Sequence, residues 1–251
     1  MTSLDPVRHV VLLEELAAGG VRVVTAGGAS AVAREPRGIR LADVPADQVD
    51  ELVTRLLDAA PQSSAVEGEG EVAERFAARW AGAVGKRVEE RGGVRLYRLD
   101  RLRIPDVPGE ARPAKGEEAE LCAGWLDAMA QEEDAQRGWS VPRPADGEVG
   151  VRTMIGQGRL WVFEDGGQVV AMAAHRPPQR GVVRLGPIYT PPEFRRRGYG
   201  AALTAQLARN LQPAEVCLRT DLGNPRSHGL YQQLGFEPVV DLRRFQLSSI
   251  D

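Results

Sequence analysis

Apolar residues in the first hundred positions recur with two different periods, one typical of helices and the other typical of strands. Three segments place their apolar residues three or four positions apart, which puts them on one face of a helix. Short β-prone runs separated by glycine turns lie between these segments. The predicted helices span residues 7–16, 46–59 and 71–81, and the predicted strands span residues 21–25, 29–33, 38–41 and 94–99. The pattern indicates a small α+β half.

After residue 113, the same two periods predict a second and longer series of elements. Two β-prone runs flank the turn Asp165-Gly166-Gly167, which is a strong signal for a hairpin. A third strand is predicted over Val182–Thr190, and a helix, a strand, a helix and a final strand follow it. Two further helices are predicted ahead of the hairpin, over residues 117–132 and 145–156.

The segment Ile104–Pro113 separates the two series. It contains three prolines and one glycine in ten residues, and this composition favours an extended linker. We therefore expect a first domain over residues 1–106 and a second domain over residues 107–251.

The composition of the 251-residue chain limits the classes to which it can belong. Apolar residues make up 43% and charged residues 27%, near globular averages, which excludes disorder or a coiled coil for the whole chain. The 32 Lys and Arg residues against 35 Asp and Glu residues give a net charge of −3. This balance offers no overall electrostatic attraction for nucleic acid, so we expect no nucleic-acid partner.

The N-terminus and the cysteines carry no targeting or metal-binding signal. Acidic residues at Asp5, Glu14 and Glu15 are unlike a signal peptide, and no 18 apolar residues run without a charge, so we expect no membrane span and a cytoplasmic protein. Cys122 and Cys217 lie in periodic apolar segments. We expect both to be core residues, with no disulfide and no metal site.

The segment after Thr190 has the order of a phosphate-binding turn. Pro191-Pro192 ends the strand, Arg195-Arg-Arg-Gly-Tyr-Gly200 follows, and a helix with leucine at every fourth position from Leu203 comes next. Unpaired N–H groups at the start of a helix bind anions, and glycines let the backbone approach closely. The alternative is a surface turn with solvated arginines. The sequence lacks both the Gly-Lys-Ser/Thr of a P-loop and the third glycine of a Rossmann turn.

A second helix presents a polar stripe. Asn224 is a suitable N-cap, the proline after it suits the first helical position, and Gly235 suits the C-terminal stop. Asn224 and Tyr231 are seven residues apart and share a face with Ser227 and His228. The alternatives are that Asn224 only caps the helix, that Tyr231 is a half-buried aromatic with its hydroxyl in water, and that His228 is a solvated surface residue.

Together these two segments resemble the GNAT (GCN5-related) acyltransferase superfamily. Arg195–Gly200 matches its Arg/Gln-x-x-Gly-x-Gly/Ala motif, and Thr220–Phe236 resembles its second signature, Asn-x-x-(Ala/Ser)-x-x-x-Tyr-x-x-x-Gly-Phe, with a looser match at His228 and Gly229. The resemblance covers about residues 114–247. It implies an α+β GNAT fold, in which helices flank a mixed, mostly antiparallel central sheet, and a smaller degenerate GNAT-like α+β domain precedes it.

The resemblance also implies an activity and a set of site residues. The expected enzyme is an N-acetyltransferase that uses acetyl-CoA as co-substrate and needs no metal, with a small-molecule or peptide amine as acceptor and direct acyl transfer. Tyr231 would be the catalytic acid to the CoA thiolate, and Gly186-Pro187 would form the family's usual strand bulge. The implied cofactor-binding residues are Ile188, Tyr189, Thr190, Arg195, Arg196, Arg197, Gly198, Tyr199, Gly200, Ala201, Asn224, Ser227 and Tyr231.

The first half resembles the family only faintly. It has no Arg/Gln-x-x-Gly-x-Gly before residue 100, and its strand-to-helix junction Leu41–Gln48 is acidic and lacks glycine. Since an acidic turn repels a pyrophosphate, we expect a degenerate, non-catalytic copy.

Several points stay open from the sequence. The general base has four candidates, and an acidic run over Asp127–Asp134 favours a cationic acceptor. The acceptor loops are expected over residues 131–147 and 176–180. The alternatives to this function are a non-catalytic acyl-CoA sensor or scaffold and an enzyme that uses a longer acyl donor. The protein is expected to be a monomer or a homodimer without a membrane partner. The candidate bases are Glu132, Glu133, Asp134 and His175.

Overall fold

A computed structural model describes residues 4–137 and 147–249. Their helices are α1 (Val10–Ala18), α2 (Val49–Ala59), α3 (Gly70–Ala83), α4 (Ala119–Arg137), α5 (Gly147–Gly156), α6 (Tyr199–Asn210) and α7 (Pro225–Gln233). Their strands are β1 (Arg22–Ala26), β2 (Ala29–Arg34), β3 (Gly38–Ala42), β4 (Ala65–Glu69), β5 (Lys86–Leu99), β6 (Glu110–Pro113), β7 (Leu160–Asp165), β8 (Gln168–His175), β9 (Val182–Tyr189), β10 (Glu215–Asp221) and β11 (Phe236–Ser249).

The described residues form two compact units. The first unit contains residues 4–97, 219–225 and 238–249, and the second contains residues 98–137, 147–218 and 226–237. Most of the last strand, β11, therefore belongs to the first unit. The sequence-based division at residue 106 concerns domains along the chain, and it stays a prediction.

The sheet of the first unit has the order β1-β2-β3-β4-β11-β5. Its first three strands are antiparallel neighbours, β3 and β4 are parallel, and β11 is antiparallel to β4. Helices α2 and α3 cover one face, where Leu52, Phe76 and Trp80 are fully buried. Leu12 of α1 and Val32 of β2 belong to a separate apolar cluster. Because neighbouring strand residues point to opposite faces, helices cover this sheet on both sides.

The sheet of the second unit has the order β10-β9-β8-β7-β6. Strands β6 to β9 are antiparallel neighbours, and β9 and β10 are parallel. Helices α4 and α5 bury Cys122 and Val151 against one face. On the other side, the ring of Tyr199 from α6 lies 5.7 Å from that of Phe163 in β7. The mixed, mostly antiparallel sheet flanked by helices confirms the predicted fold class.

The local predictions hold where the sequence pattern is periodic. The two cysteines are buried and free, as expected. Part of the predicted linker is instead a strand, because Glu110–Pro113 pairs antiparallel with β7. Strand β4 was not predicted, and β5 begins eight residues before the predicted strand.

None of the helices within the described ranges combines the length and apolar character that a bilayer span requires. Within the same ranges, no group of three or more His, Cys, Asp and Glu side chains is placed to hold a metal ion.

Candidate active site

Strand β9 is interrupted by a bulge at the predicted position. Its pairing with β8 joins Ile188 to Ala173 and Leu185 to His175, so two residues of β9, Gly186 and Pro187, lie opposite a single residue of β8. A bulge bends the strand and redirects the groups that follow it. Pairing with β10 covers Val182–Leu185, which ends where the bulge begins. The expected pantetheine-binding residues, Ile188 to Thr190, come directly after it.

The turn after β9 leads into the N-terminus of α6. Gly198 is the N-cap, with φ 83° and ψ −3° in the left-handed region, and a Cβ there would lie 2.8 Å from Val107 Cγ2. The N–H of Ala202 donates to Gly198 O at 2.9 Å. The N–H groups of Tyr199, Gly200 and Ala201 precede this first helical bond, so the helix offers them no partner. With no acidic residue in its first turn, this N-terminus fits a phosphate group.

The three arginines of the turn differ in what they contact. Arg195 is engaged within the protein, because its Nε donates to Thr190 O at 2.8 Å and its Nη2 contacts both carboxylate oxygens of Glu132 at 2.8 and 2.7 Å. Arg196 and Arg197 are exposed and form no ion pair with any described residue. Of the three predicted phosphate contacts, these two therefore have a guanidinium available for an anion.

Glu132 joins helix α4 to the end of β9. Its Oε1 accepts a hydrogen bond from Tyr189 Oη at 2.8 Å, and the Arg195 guanidinium lies 5.5 Å from the Tyr189 ring centre. Burial first, and then the carboxylate of Glu132, raise the pKa of Tyr189 to about 12. Sequence reasoning placed Glu132 only among the candidate bases and missed this contact, since the two residues are 57 positions apart.

Tyr231 lies near the end of α7, where it is half-buried and its ring meets that of Phe236 edge-on at 6.1 Å. Burial raises the pKa of the Tyr231 hydroxyl to about 12, so it keeps its proton at neutral pH. The end of α7 is held by backbone bonds from Asp100 N to Gly235 O and from Arg103 N to Leu234 O, both 3.0 Å.

The remaining predicted residues occupy different settings. Tyr199 is buried and its hydroxyl donates to Asp165, so only its backbone is available to a ligand. Ser227 is half-buried on α7. Asn224 lies among the residues of the first unit, directly before α7, and its N–H donates to Asp221 O at 3.0 Å. Whether these residues contact a cofactor stays a prediction.

The other sequence candidates on the acceptor side are only partly described. Residues 131–137 continue helix α4 instead of forming a loop, and residues 138–146 of the predicted acceptor loop lie outside the described part of the chain. His175 ends β8, and its Nδ1 lies 3.0 Å from Arg176 O. Glu133 and Asp134 lie on α4.

Residues 126–236 match the model of the acetyltransferase (GNAT) family. Over this range the chain is similar to the GNAT acetyltransferase family. The matched range includes the β9 bulge, the turn into α6, and α7 with its closing Gly235-Phe236.

Solved structures share the fold over nearly the whole chain. A GCN5-related N-acetyltransferase from Kribbella flavida is 21% identical, with a TM-score of 0.62 over 98% of this chain and 96% of that chain. A GNAT-family acetyltransferase from Colwellia psychrerythraea is 12% identical, with a TM-score of 0.62 over 99% of this chain and 91% of that chain. A GCN5-related N-acetyltransferase from Sphaerobacter thermophilus is 16% identical, with a TM-score of 0.57 over 89% and 78%. None of the curated proteins matches the chain.

Proposed function

We propose that the protein is an acyl-CoA-dependent N-acyltransferase that moves an acetyl group from acetyl-CoA to an amine by direct transfer. The observation that carries the proposal is the N-terminus of α6, where three backbone N–H groups without helical partners follow a bulged strand. Arg196 and Arg197 add two exposed guanidinium groups beside it. A pyrophosphate carries the charge and the acceptor oxygens that such a site binds.

The roles of the chain's own residues follow from this placement. Acetyl-CoA supplies an activated thioester, and the deprotonated amine forms a bond to its carbonyl carbon while the C–S bond breaks. The backbone N–H near Ile188 would stabilise the oxyanion, an effect worth about 3–4 kcal/mol in comparable sites. Tyr231 would give its proton to the leaving sulfur, and a hydroxyl whose pKa is raised to about 12 is still protonated when the thiolate leaves.

We assign Glu132 to positioning and not to proton removal. Its Oε1 accepts from the Tyr189 hydroxyl and both of its carboxylate oxygens contact the Arg195 guanidinium, so both oxygens are already engaged within the protein. The same contacts tie α4 to the segment that leads into the phosphate-binding turn. Glu132 would therefore hold that turn in place.

The first half is proposed to be a non-catalytic copy. Its segment β3-α2-β4-α3-β5 has the same order of elements as β9-α6-β10-α7-β11. Strands β3 and β4 are parallel, as β9 and β10 are. Its helix α2 nevertheless begins with two acids, Asp50 and Glu51, in the first turn. These charges oppose an anion at the position where α6 has none.

A thiol-release assay with acetyl-CoA and a panel of small amines and peptides tests the proposal. Tyr231→Phe is expected to lower kcat by about 100-fold, the lower range for loss of a general acid, and to leave acetyl-CoA affinity nearly unchanged. Tyr97→Phe removes a tyrosine hydroxyl from the first unit and serves as the matched control. Equal turnover in Tyr231→Phe would remove Tyr231 from catalysis. Binding of acetyl-CoA without thiol release from any amine would instead support a sensor or scaffold.

A further inference from the structure

The first residue of helix α6 is fixed to the hairpin between β7 and β8. Tyr199 is only 6% exposed, its ring centre lies 5.7 Å from that of Phe163, and its hydroxyl donates to the carboxylate of Asp165. Phe163 and Asp165 are two residues apart on β7, so their side chains point to the same face of the sheet. One strand therefore holds both the ring and the hydroxyl of this tyrosine.

The hairpin that carries Asp165 is a tight one. Asp165 pairs with Gln168, so the turn between the two strands has only two residues. These are Gly166 and Gly167, with φ 57° and 80°. Positive φ at both central residues is the geometry of the type I′ turn, which fits the twist of the flanking strands. The turn therefore gives the Asp165 carboxylate a defined position beside α6.

Tyr199 lies between two glycines at the point where the helix begins. Gly198 and Gly200 let the backbone approach an anion, but glycine loses more conformational freedom on ordering than any other residue. The first N–H groups of the helix also lack the intrahelical bonds that would hold them. On the far side of the turn, a Cβ at Gly200 would lie 2.9 Å from Thr190 Oγ1. The Tyr199 side chain and the end of β9 thus hold a turn whose own residues are easily disordered.

We propose that Asp165 and Tyr199 are positioning residues for the anion site at the N-terminus of α6. The inference rests on the proposed function, in which the backbone N–H groups of residues 199–201 bind the pyrophosphate of acetyl-CoA. The hydrogen bond between the two side chains holds these N–H groups in place before the ligand arrives, so binding does not have to order them. Asp165 has the wrong charge to contact a pyrophosphate, and the Tyr199 hydroxyl is already engaged. Both side chains therefore act through the backbone.

Calorimetric titration of Tyr199→Phe with acetyl-CoA tests the proposal. The substitution keeps the ring against Phe163 and removes only the hydroxyl. Fixing the backbone of one residue costs a free energy equivalent to about tenfold in affinity, so acetyl-CoA should bind about tenfold more weakly. Asp165→Asn keeps an oxygen that can accept from the hydroxyl, and its affinity should be closer to that of the unmodified protein than to that of Tyr199→Phe.

Gln206→Met is the matched control, because Gln206 also anchors α6 to a neighbouring strand. Its Oε1 accepts a hydrogen bond from the N–H of Ala111 in β6 at 2.9 Å, about two turns along the helix from Tyr199. This variant should lose stability in denaturant unfolding and still bind acetyl-CoA as tightly as the unmodified protein. If Tyr199 served stability alone, Tyr199→Phe would behave in the same way as Gln206→Met, and that result would overturn the proposal.

The unmodified protein separates this inference from the proposed function. If it does not bind acetyl-CoA, the proposed function fails and the inference fails with it. If it binds acetyl-CoA and Tyr199→Phe binds equally well, only the positioning role is overturned. A loss in Asp165→Asn as large as that in Tyr199→Phe would also overturn the role, because the hydrogen bond would then not be what holds the turn. Asp165→Ala removes the acceptor instead of the donor and should weaken binding too, so a folding defect in Tyr199→Phe leaves a second decisive variant.

Discussion

Replacing Glu132 by Gln tests whether this residue holds the end of β9 through its charge. The substitution keeps an oxygen that can accept the Tyr189 hydroxyl, so no buried donor is orphaned. It removes the ion pair between Arg195 and Glu132, whose side chains are 37% and 45% exposed, respectively. Exposed pairs of this kind contribute about 0.2–1 kcal/mol. We therefore expect the free energy of unfolding to fall by less than about 1 kcal/mol.

The larger effect is expected on the titration of Tyr189. Burial, the main cause of its raised pKa, is unchanged in the variant, whereas the contribution of the Glu132 carboxylate is lost. The pKa should move down from about 12 but stay above the unperturbed value of about 10. Because the folded chain holds this proton more tightly than the unfolded chain, stability declines as pH rises from about 10 to about 12. In Glu132→Gln the pKa of folded Tyr189 is lower, so the pH range over which stability declines should be narrower.

Tyrosinate absorbance against pH measures the shift directly, and denaturant unfolding measures the stability. Glu148→Gln removes an exposed ion pair with Arg152 that includes no tyrosine, so it should change stability similarly and leave the titration unchanged. An unaltered Tyr189 titration in Glu132→Gln, or a loss of several kcal/mol, would refute the reasoning.

Two further substitutions test other parts of the structure. Gly235→Ala would place a Cβ 1.8 Å from Arg101 O at φ 93°, so the free energy of unfolding should fall by more than about 3 kcal/mol. Gly181→Ala is also at positive φ but has open space around it, and it should lower that free energy by only about 1–2 kcal/mol. Glu67→Gln removes a carboxylate that is 11% exposed and is shared by three arginines, and the free energy of unfolding should fall by about 3–5 kcal/mol. Loss of the exposed ion pair of Glu51 should lower it by less than about 1 kcal/mol. A small loss in Gly235→Ala or Glu67→Gln would contradict the packing described.

The acid stability of the first unit follows from the same glutamate. Burial alone would raise the pKa of Glu67, but Arg219, Arg40 and Arg244 outweigh it and hold that pKa well below its usual range. The stabilisation is therefore complete above the unfolded-state pKa of about 4.3 and is lost as pH falls below it. In Glu67→Gln this acid-dependent loss should disappear from the unfolding curve.

Local signals made most of the fold predictable. The hairpin at Asp165–Gly167 and the helix that begins at Tyr199 depend on turn residues and apolar spacing that lie within a few positions of each other. The two motif segments predicted the family for the same reason. The bulge at Gly186-Pro187 was expected only through the family resemblance.

Contacts between distant residues were not predictable. Strand β6 lies in a proline-rich segment and forms because β7 pairs with it. Strand β11 pairs with β4, so that Arg244 reaches Glu67 across 177 positions, and no local pattern in either strand encodes this pairing. The contact between Glu132 and Tyr189 depends in the same way on how α4 packs against β9. Periodicity determines which face of an element is buried, but not which distant element covers it.

The central claim is that the turn into α6 binds the pyrophosphate of acetyl-CoA, and calorimetric titration with acetyl-CoA tests it most directly. Gly198→Asp adds a negative charge and a Cβ at the N-cap, while Gly158→Asp makes the same change at an exposed glycine with φ 65° and no neighbour within 4 Å. The account predicts one acetyl-CoA bound per chain, with binding lost in Gly198→Asp and retained in Gly158→Asp. Absence of binding to the unmodified protein, or equal binding to both variants, would contradict it.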